Sequence, residues 1–420
     1  MFYRHFRCNV WKEKDRTLRI LMVCQHYWPE HFQITEICEE LVRRGHQVTA
    51  LVGIPNYPKG VVPEEYMHGK NRQQVRNGVN IIRVEEIPRK SGIRGLAKNY
   101  ISYMREADKK IGKLPGDFDV IFAYQLSPVL MSEPAMRMKK RTGIPVFLYC
   151  ADIWPDAIKA MLPDKFNFAL PLIKAMSSKI YRQANVSATN ASSYVDYFDQ
   201  EFGISRDKVF YLPQYAEDSY LDMDLTARPS DKVRFLIMGN IGKLQYMPCV
   251  LEAVNSLKHR DDFELHIVGD GSAMPYCKQY VAEHELQKHV VFHGRRPYEE
   301  MPNYYRNADC CLLTLNVPGA PGINSTLPSR LQGFMAAGKP ILASIDGSAA
   351  QVINDSGCGK AVPAGDAEGL AKLMKVFLDN SDSYASCGAN GRTYYKANFT
   401  KQRFMNEIEK LLVLTMKGAQ

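Results

Sequence analysis

Two apolar runs limit what this chain can fold into, because the same pattern follows each: a polar or glycine-containing loop, an amphipathic helix, and another apolar run. The first begins at Leu18 to Cys24 and continues through QHYWPEHFQ, a helix predicted over 34 to 44 and stopped by Gly45, and a strand at 47 to 53. The second begins at Val233 to Met238 and continues through GNIGKLQ and a helix predicted over 247 to 257. Apolar runs without polar alternation are the mark of parallel strands, which are covered on both faces. Further strands are expected at 80 to 84, 119 to 124, 145 to 150, 185 to 189 and 209 to 212, and in FELHIV, VVFHG, CCLLTL and PILAS. The predicted class is α/β, with two Rossmann-like doubly wound domains facing across a cleft and joined near 219 to 231.

Composition fits two cores: 420 residues, 45% of them hydrophobic. The net charge of +9 comes from 54 Lys and Arg interspersed with 45 Asp and Glu, so no single tail accounts for it. An anionic ligand or an anionic membrane suits that charge. Nucleic acid does not, because the basic residues lack an aromatic-interleaved stripe. The ten Cys show no CxxC pair and no Cys/His metal spacing, and they read as reduced core residues of a cytoplasmic chain. Residues 1 to 17 are aromatic and basic without an apolar core segment, so they read as a loose extension and not as a secretory signal. No run reaches the roughly 20 apolar residues a bilayer span requires, which leaves peripheral contact as the expected relation to any membrane.

The stretch from 322 to 347 is where chemistry is expected. It reads as a Gly/Pro loop, a helix entry that Thr326 or Ser329 can cap with Pro328 in its first turn, a stop at Gly338, and a buried strand. Such an entry offers free backbone amides and a positive dipole end, and Arg330 adds a charge, so a phosphate-type ligand is expected. Ligands of doubly wound sheets bind outside the carboxyl ends of the strands. The loops GNIGK, VGDGSA and HGRRPYEEMP therefore belong to the same expected site.

The ordered motifs HYWPEHF, LVRRGHQVTALVGIPNYPKG, CADIWPDAI, GNIGKLQ, VGDG, GRRPYEEMPNYYRNAD, PSRLQGFMAAGKPILASIDG and VPAGD resemble retaining GT-B glycosyltransferases of family 4, in particular bacterial O-antigen and capsule enzymes of the L-fucosamine transferase type. The resemblance spans about 18 to 415. It implies a UDP-sugar donor held without metal or other cofactor, with Lys243 and Arg330 on the diphosphate. Around them it places Gly239, Asn240, Gly242, Gly269, Asp270, Gly271, Arg295, Arg296, Ile323, Asn324, Ser325 and Thr326 as donor-binding positions. It implies an acceptor-binding domain at 18 to 222, a linker at 223 to 230, a donor domain at 231 to 399, and a terminal helix at 400 to 420 that returns to the first domain. The acceptor it implies is a polyprenyl-diphosphate-linked saccharide at the inner face of the cytoplasmic membrane. Asp152 is a candidate base or acceptor-positioning group, or else a helix cap; His26, Glu30, His31, Trp154 and Asp156 are candidates for the acceptor rim.

The sequence departs from the family where two glutamates are usual: Ser325 and Gly333 stand there. Neither supplies a charged acceptor, so selection of the sugar is expected to fall to backbone amides around 323 to 326 or to Asp346, and to favour an uncommon deoxy or acetamido sugar. A second signal is the apolar stripe Ile93, Leu96, Ala97, Tyr100, Ile101, Met104, Ala107 and Ile111, set among Arg and Lys. It suits a core-facing helix with a solvated basic face, and equally an interfacial helix on anionic lipid. Two other functions stay open: a sugar-nucleotide 2-epimerase of the same fold, and a non-enzymatic anion binder.

Overall fold

The computed structural model describes residues 17–90, 92–159, 164–315 and 326–418. Strands appear where the apolar runs put them, with two more, at 73–76 and 359–362, that were not expected. In the first sheet they are β1 (Arg19–Val23), β2 (Gln47–Gly53), β3 (Gln73–Arg76), β4 (Val79–Val84), β5 (Val120–Gln125), β6 (Val146–Cys150), β7 (Val186–Thr189) and β8 (Val209–Tyr211), in the spatial order β3-β4-β2-β1-β5-β6-β7-β8. β1 pairs in parallel with β2 and β5, β2 with β4, and β5 with β6, while β3 runs antiparallel to β4 at the edge. Its helices are α1 (Gln33–Arg43), α2 (Ile93–Ile111), α3 (Glu133–Thr142), α4 (Asp156–Lys159), α5 (Leu170–Tyr181) and α6 (Ser193–Phe202). Strand order reverses between β1 and β5, so the loops after those strands flank a switch point.

The second sheet consists of β9 (Val233–Met238), β10 (Phe263–Val268), β11 (Val290–Gly294), β12 (Cys310–Thr314), β13 (Ile341–Ser344) and β14 (Gly359–Val362), in the order β11-β10-β9-β12-β13-β14, all parallel. Its helices are α7 (Met247–Ser256), α8 (Met274–Glu283), α9 (Met301–Arg306), α10 (Ser329–Ala336), α11 (Gly347–Ser356), α12 (Ala367–Asp379), α13 (Cys387–Asn398) and α14 (Lys401–Lys417). Here the switch point lies between β9 and β12. Phe235, Ile237, Val250, Leu265, Ile267, Leu312, Met374 and Phe377 form part of one continuous core on this sheet. The nine cysteines among the described residues are buried and free, and burial pushes the Cys277 thiol up to about 11.

The chain divides into two compact units: 1–154 with 172–187 and 409–420, and 155–171 with 188–408. Glu409 onward falls in the first unit, and residues 214 to 228 are bonded within the second. Gln214 O accepts from Gln332 Nε2 at 2.9 Å, Asp218 Oδ1 from Tyr395 Oη at 2.7 Å, and Asp224 O from Arg306 Nε at 3.0 Å. The expected linker is thus bound into the second unit. In the first unit Glu409 of α14 pairs with Arg44 at 2.6 Å and with His46 at 3.1 Å.

The phase of α2 is also corrected. Asn99, Tyr100, Tyr103, Ala107 and Ile111 face inward, whereas Ile93 and Ile101 are 40% and 37% exposed. The apolar stripe is wider than the buried face, and its outer edge lies beside Arg94, Lys98 and Arg105, all exposed. No helix among the described residues is long and apolar enough to cross a membrane.

A buried polar cluster fixes the loops at the carboxyl end of the first sheet. Glu86 accepts from Gln25 Nε2 at 3.0 Å, from Asn99 Nδ2 at 3.2 Å, and from Asn56 Nδ2. Burial outweighs these donors and pushes the Glu86 carboxyl up to about 8. Its ordinary value is 4.5, so the folded chain holds a proton that the unfolded chain releases. The stabilising contribution is full below pH 4.5 and is lost as pH rises to about 8, with a slope of at most about 1.4 kcal/mol per pH unit. Glu86→Gln, which is neutral at every pH, is expected to flatten urea-melt stability across that window; an unchanged slope would show that Glu86 does not titrate there.

Candidate functional site

The carboxyl end of the second sheet gathers the loops after β9, β10 and β11 with the start of α10. Gly239 N donates to Val268 O, Ile241 N to Asp270 O and Gly269 N to Gly294 O, each at 2.9 Å. These bonds are possible because the loops lie closer than side chains would allow: a Cβ on Gly269 would sit 1.8 Å from Gly239 O. Gly242 N donates to Gln245 Oε1 at 2.9 Å, which shapes the turn that carries Lys243, and Lys243 itself is exposed. Asp270 is spent locally, its Oδ1 accepting from Gly271 N at 2.8 Å.

Arg330 joins this platform. Its Nη2 donates to Asn240 O at 2.9 Å, and a Cβ on Gly239 would lie 3.5 Å from the same atom. Burial pushes the guanidinium down to about 10, and no carboxylate among the described residues pairs with it. A half-buried cation without a counter-charge at the edge of a switch point favours an anionic ligand. The expected cap is corrected: Pro328 is the N-cap of α10 and no side chain caps it, because extended backbone at Pro328 leads directly into the helix. Neither Thr326 nor Ser329 serves as the cap.

Other donor positions separate from one another. Arg296 donates from Nε to His293 O at 3.0 Å and is exposed, as is Arg295. Asp346 accepts from Ala364 N at 3.2 Å at the start of α11, so its carboxylate secures a loop. Ile323, Asn324 and Ser325 lie outside the described residues, as does the extension at 1 to 16. Gly333 is buried in α10, where a Cβ would stand 3.3 Å from the Tyr305 hydroxyl. Tyr305 thus takes up space beside position 333. Its neighbour Gln332, 1% exposed, leaves Oε1 without a partner among the described residues. Neither Tyr305 nor Gln332 was legible as a site residue; only the substitution at 333 hinted that something else was there.

In the first unit, Ser127 Oγ donates to Asp152 Oδ2 at 2.9 Å and accepts from Trp154 Nε1 at 3.1 Å. Burial raises the Asp152 pKa, while the bonds from Ser127 oppose that shift. Asp152 and Trp154 are therefore brought together at the end of β6 as expected. His26 and Glu30 also meet, at 2.7 Å, but Glu30 Oε1 is occupied by Asn56 N and Tyr57 N, both at 2.7 Å. That carboxylate holds the IPNYPKG loop, and it acts on that loop's position. His31 is exposed and stands apart from this cluster. Asp156 falls in the second unit, where the Tyr197 hydroxyl bonds to it.

Comparison with known proteins agrees with this geometry. Residues 31–214 match the glycosyl transferase 4-like domain and residues 222–394 the glycosyl transferases group 1. WbjE of Pseudomonas aeruginosa, named a probable glycosyltransferase, is 24% identical over 73% of this chain and 77% of its own length. The WcaI glycosyl transferase of Escherichia coli K12, named for colanic acid biosynthesis, is 23% identical over 76% of this chain and 82% of its own. Among solved structures, Anabaena HepE in complex with UDP superposes with a TM-score of 0.69 at 15% identity, covering 94% of this chain and all of that one, which shows a shared fold. With a 4-like domain followed by a group 1 domain and two α/β sheets that are parallel but for the edge strand β3, the chain belongs to the GT-B glycosyltransferases.

Proposed function

We propose that the chain transfers a sugar, with retention at the anomeric carbon, from a UDP-sugar to a polyprenyl-diphosphate-linked saccharide in capsule or O-antigen assembly. The observation that carries this reading is Arg330, a half-buried guanidinium resting on Gly239 and Asn240 without a carboxylate partner. The bond from the anomeric carbon to the diphosphate oxygen breaks, and charge grows on that oxygen. Arg330 and the exposed Lys243 are the groups that meet this charge, and no metal forms part of the proposal. The acceptor oxygen bonds to the anomeric carbon on the face the diphosphate leaves, and its proton passes to the departing phosphate oxygen. Asp152, raised by burial and held by Ser127, assists by orienting the acceptor hydroxyl. The name of WcaI, a relative over 76% of the chain that is named for colanic acid biosynthesis, supports polysaccharide assembly as the setting.

Two features refine the reading. Gly333 offers no side chain to sugar hydroxyls, which suits a deoxy-acetamido donor such as an L-fucosamine derivative. The exposed apolar edge of α2, Ile93 and Ile101 beside Arg94, Lys98 and Arg105, suits peripheral contact with anionic lipid on the cytoplasmic face.

Incubating the protein with a UDP-sugar is expected to release UDP only when lipid-linked acceptor is present; turnover without acceptor would indicate the epimerase, and neither outcome a binder. Binding of UDP-glucose as tight as that of UDP-L-fucosamine derivatives would refute the donor assignment. Arg330→Ala is expected to lower kcat/KM by about 10²-fold or more, with Arg330→Lys recovering part of the loss. Flotation with anionic vesicles at low salt is expected to exceed flotation with neutral ones, and Lys98→Glu with Arg105→Glu should abolish the difference.

A further inference from the structure

The loop after β2 and the segment entering α2 enclose a shallow basin of about 600 Å³, lined by Pro58, Lys59, Gly60, Arg89, Lys90 and Leu96. Three of the six are cations, and none of the three ion-pairs with a carboxylate among the described residues. The backbone that carries them is closely packed. A Cβ on Gly60, whose φ is +71°, would fall 1.7 Å from Arg89 O, and one on Gly95 would fall 2.6 Å from Lys90 O. Both strands of the basin therefore approach through glycine, which brings Lys59 toward Arg89 and draws Lys90 onto the first turn of α2.

The rest of the first unit holds that arrangement in place. Asn56 Oδ1 accepts from Arg89 N at 2.9 Å and Asn56 O accepts from Gly60 N at 2.6 Å, so one asparagine ties both walls. Glu30 and Glu86 clamp the same loop from beneath. Arg89 lies 5.2 Å from the Tyr57 ring and 6.0 Å from that of Tyr100, which orients its guanidinium without neutralising it. The first turn of α2 carries no acidic residue. An anion entering the basin would meet three cations that have no carboxylate partner among the described residues.

We propose that this basin binds a phosphoryl anion, and that in the enzyme it takes the diphosphate of the lipid-linked acceptor. The second half rests on the transferase reading; the first does not. Pro58 and Leu96 supply apolar wall beside the charges, which suits a diphosphate carrying a hydrocarbon chain better than a free anion.

The test is titration of the full chain with inorganic pyrophosphate in saturating UDP, so that the site at Arg330 is already filled. The wild type is expected to bind, and Lys59→Gln with Lys90→Gln to weaken binding on the order of tenfold or more, with UDP affinity unchanged. Equal binding by variant and wild type, or none by the wild type, would overturn the inference. Vesicles of neutral lipid doped with either phosphatidylglycerol or a polyprenyl diphosphate separate the sources. Loss confined to the polyprenyl diphosphate assigns the acceptor, and equal loss in both assigns the lipid headgroup. A protein that binds pyrophosphate here yet never releases UDP keeps this site and loses the transferase reading, whereas full transfer by the double variant at unchanged KM for acceptor does the reverse.

Discussion

The contact between Arg330 and the backbone of 239 and 240 is the interaction on which the loop platform at the carboxyl end of the second sheet depends. A guanidinium set above a glycine and bonded to a carbonyl keeps its charge near the end of β9 although it is half out of water. That position is expensive for an isolated cation, as its lowered pKa records. The fold tolerates it because backbone amides and loops converge at the reversal of strand order, where side chains from α10 reach the turn after β9. Backbone bonds from Gly239 and Ile241 to the end of β10 and the loop after it, and the glycine contacts between the two loops, hold that turn in place.

In the first unit the organising groups are carboxyls that do no obvious chemistry. Glu30 and Glu86 each hold the IPNYPKG loop, one through backbone amides at its start and one through Asn56. Their burial makes the loop a fixed surface, and a fixed surface is what a basic basin needs if its cations are not to drift apart. Polar residues in this region therefore act mainly by position.

Much of the fold was legible because parallel strands buried on both faces announce themselves as apolar runs. Strand β3, QQVR, carried no such signal: it is an edge strand, half exposed, and its pairing is antiparallel. The helix α2 was found but misphased, since apolar residues at its outer edge are indistinguishable in sequence from those that pack inward. Arg330, Lys243 and the glycine turns were singled out from spacing and resemblance, and Arg330 does rest on the turn at Gly239 and Asn240. The engagement of Glu30 with a loop, the assignment of Asp156 to the other unit, and the place of Tyr305 were not legible, because each depends on residues far apart in the chain.

Tyr305 bears on how this site can change over evolutionary time. With its hydroxyl 3.3 Å from where a side chain at 333 would begin, Tyr305 would have to give by a few tenths of an ångström before any larger residue could stand there. The cost of a change at 333 is therefore set by the residue at 305, and the two positions are expected to change together.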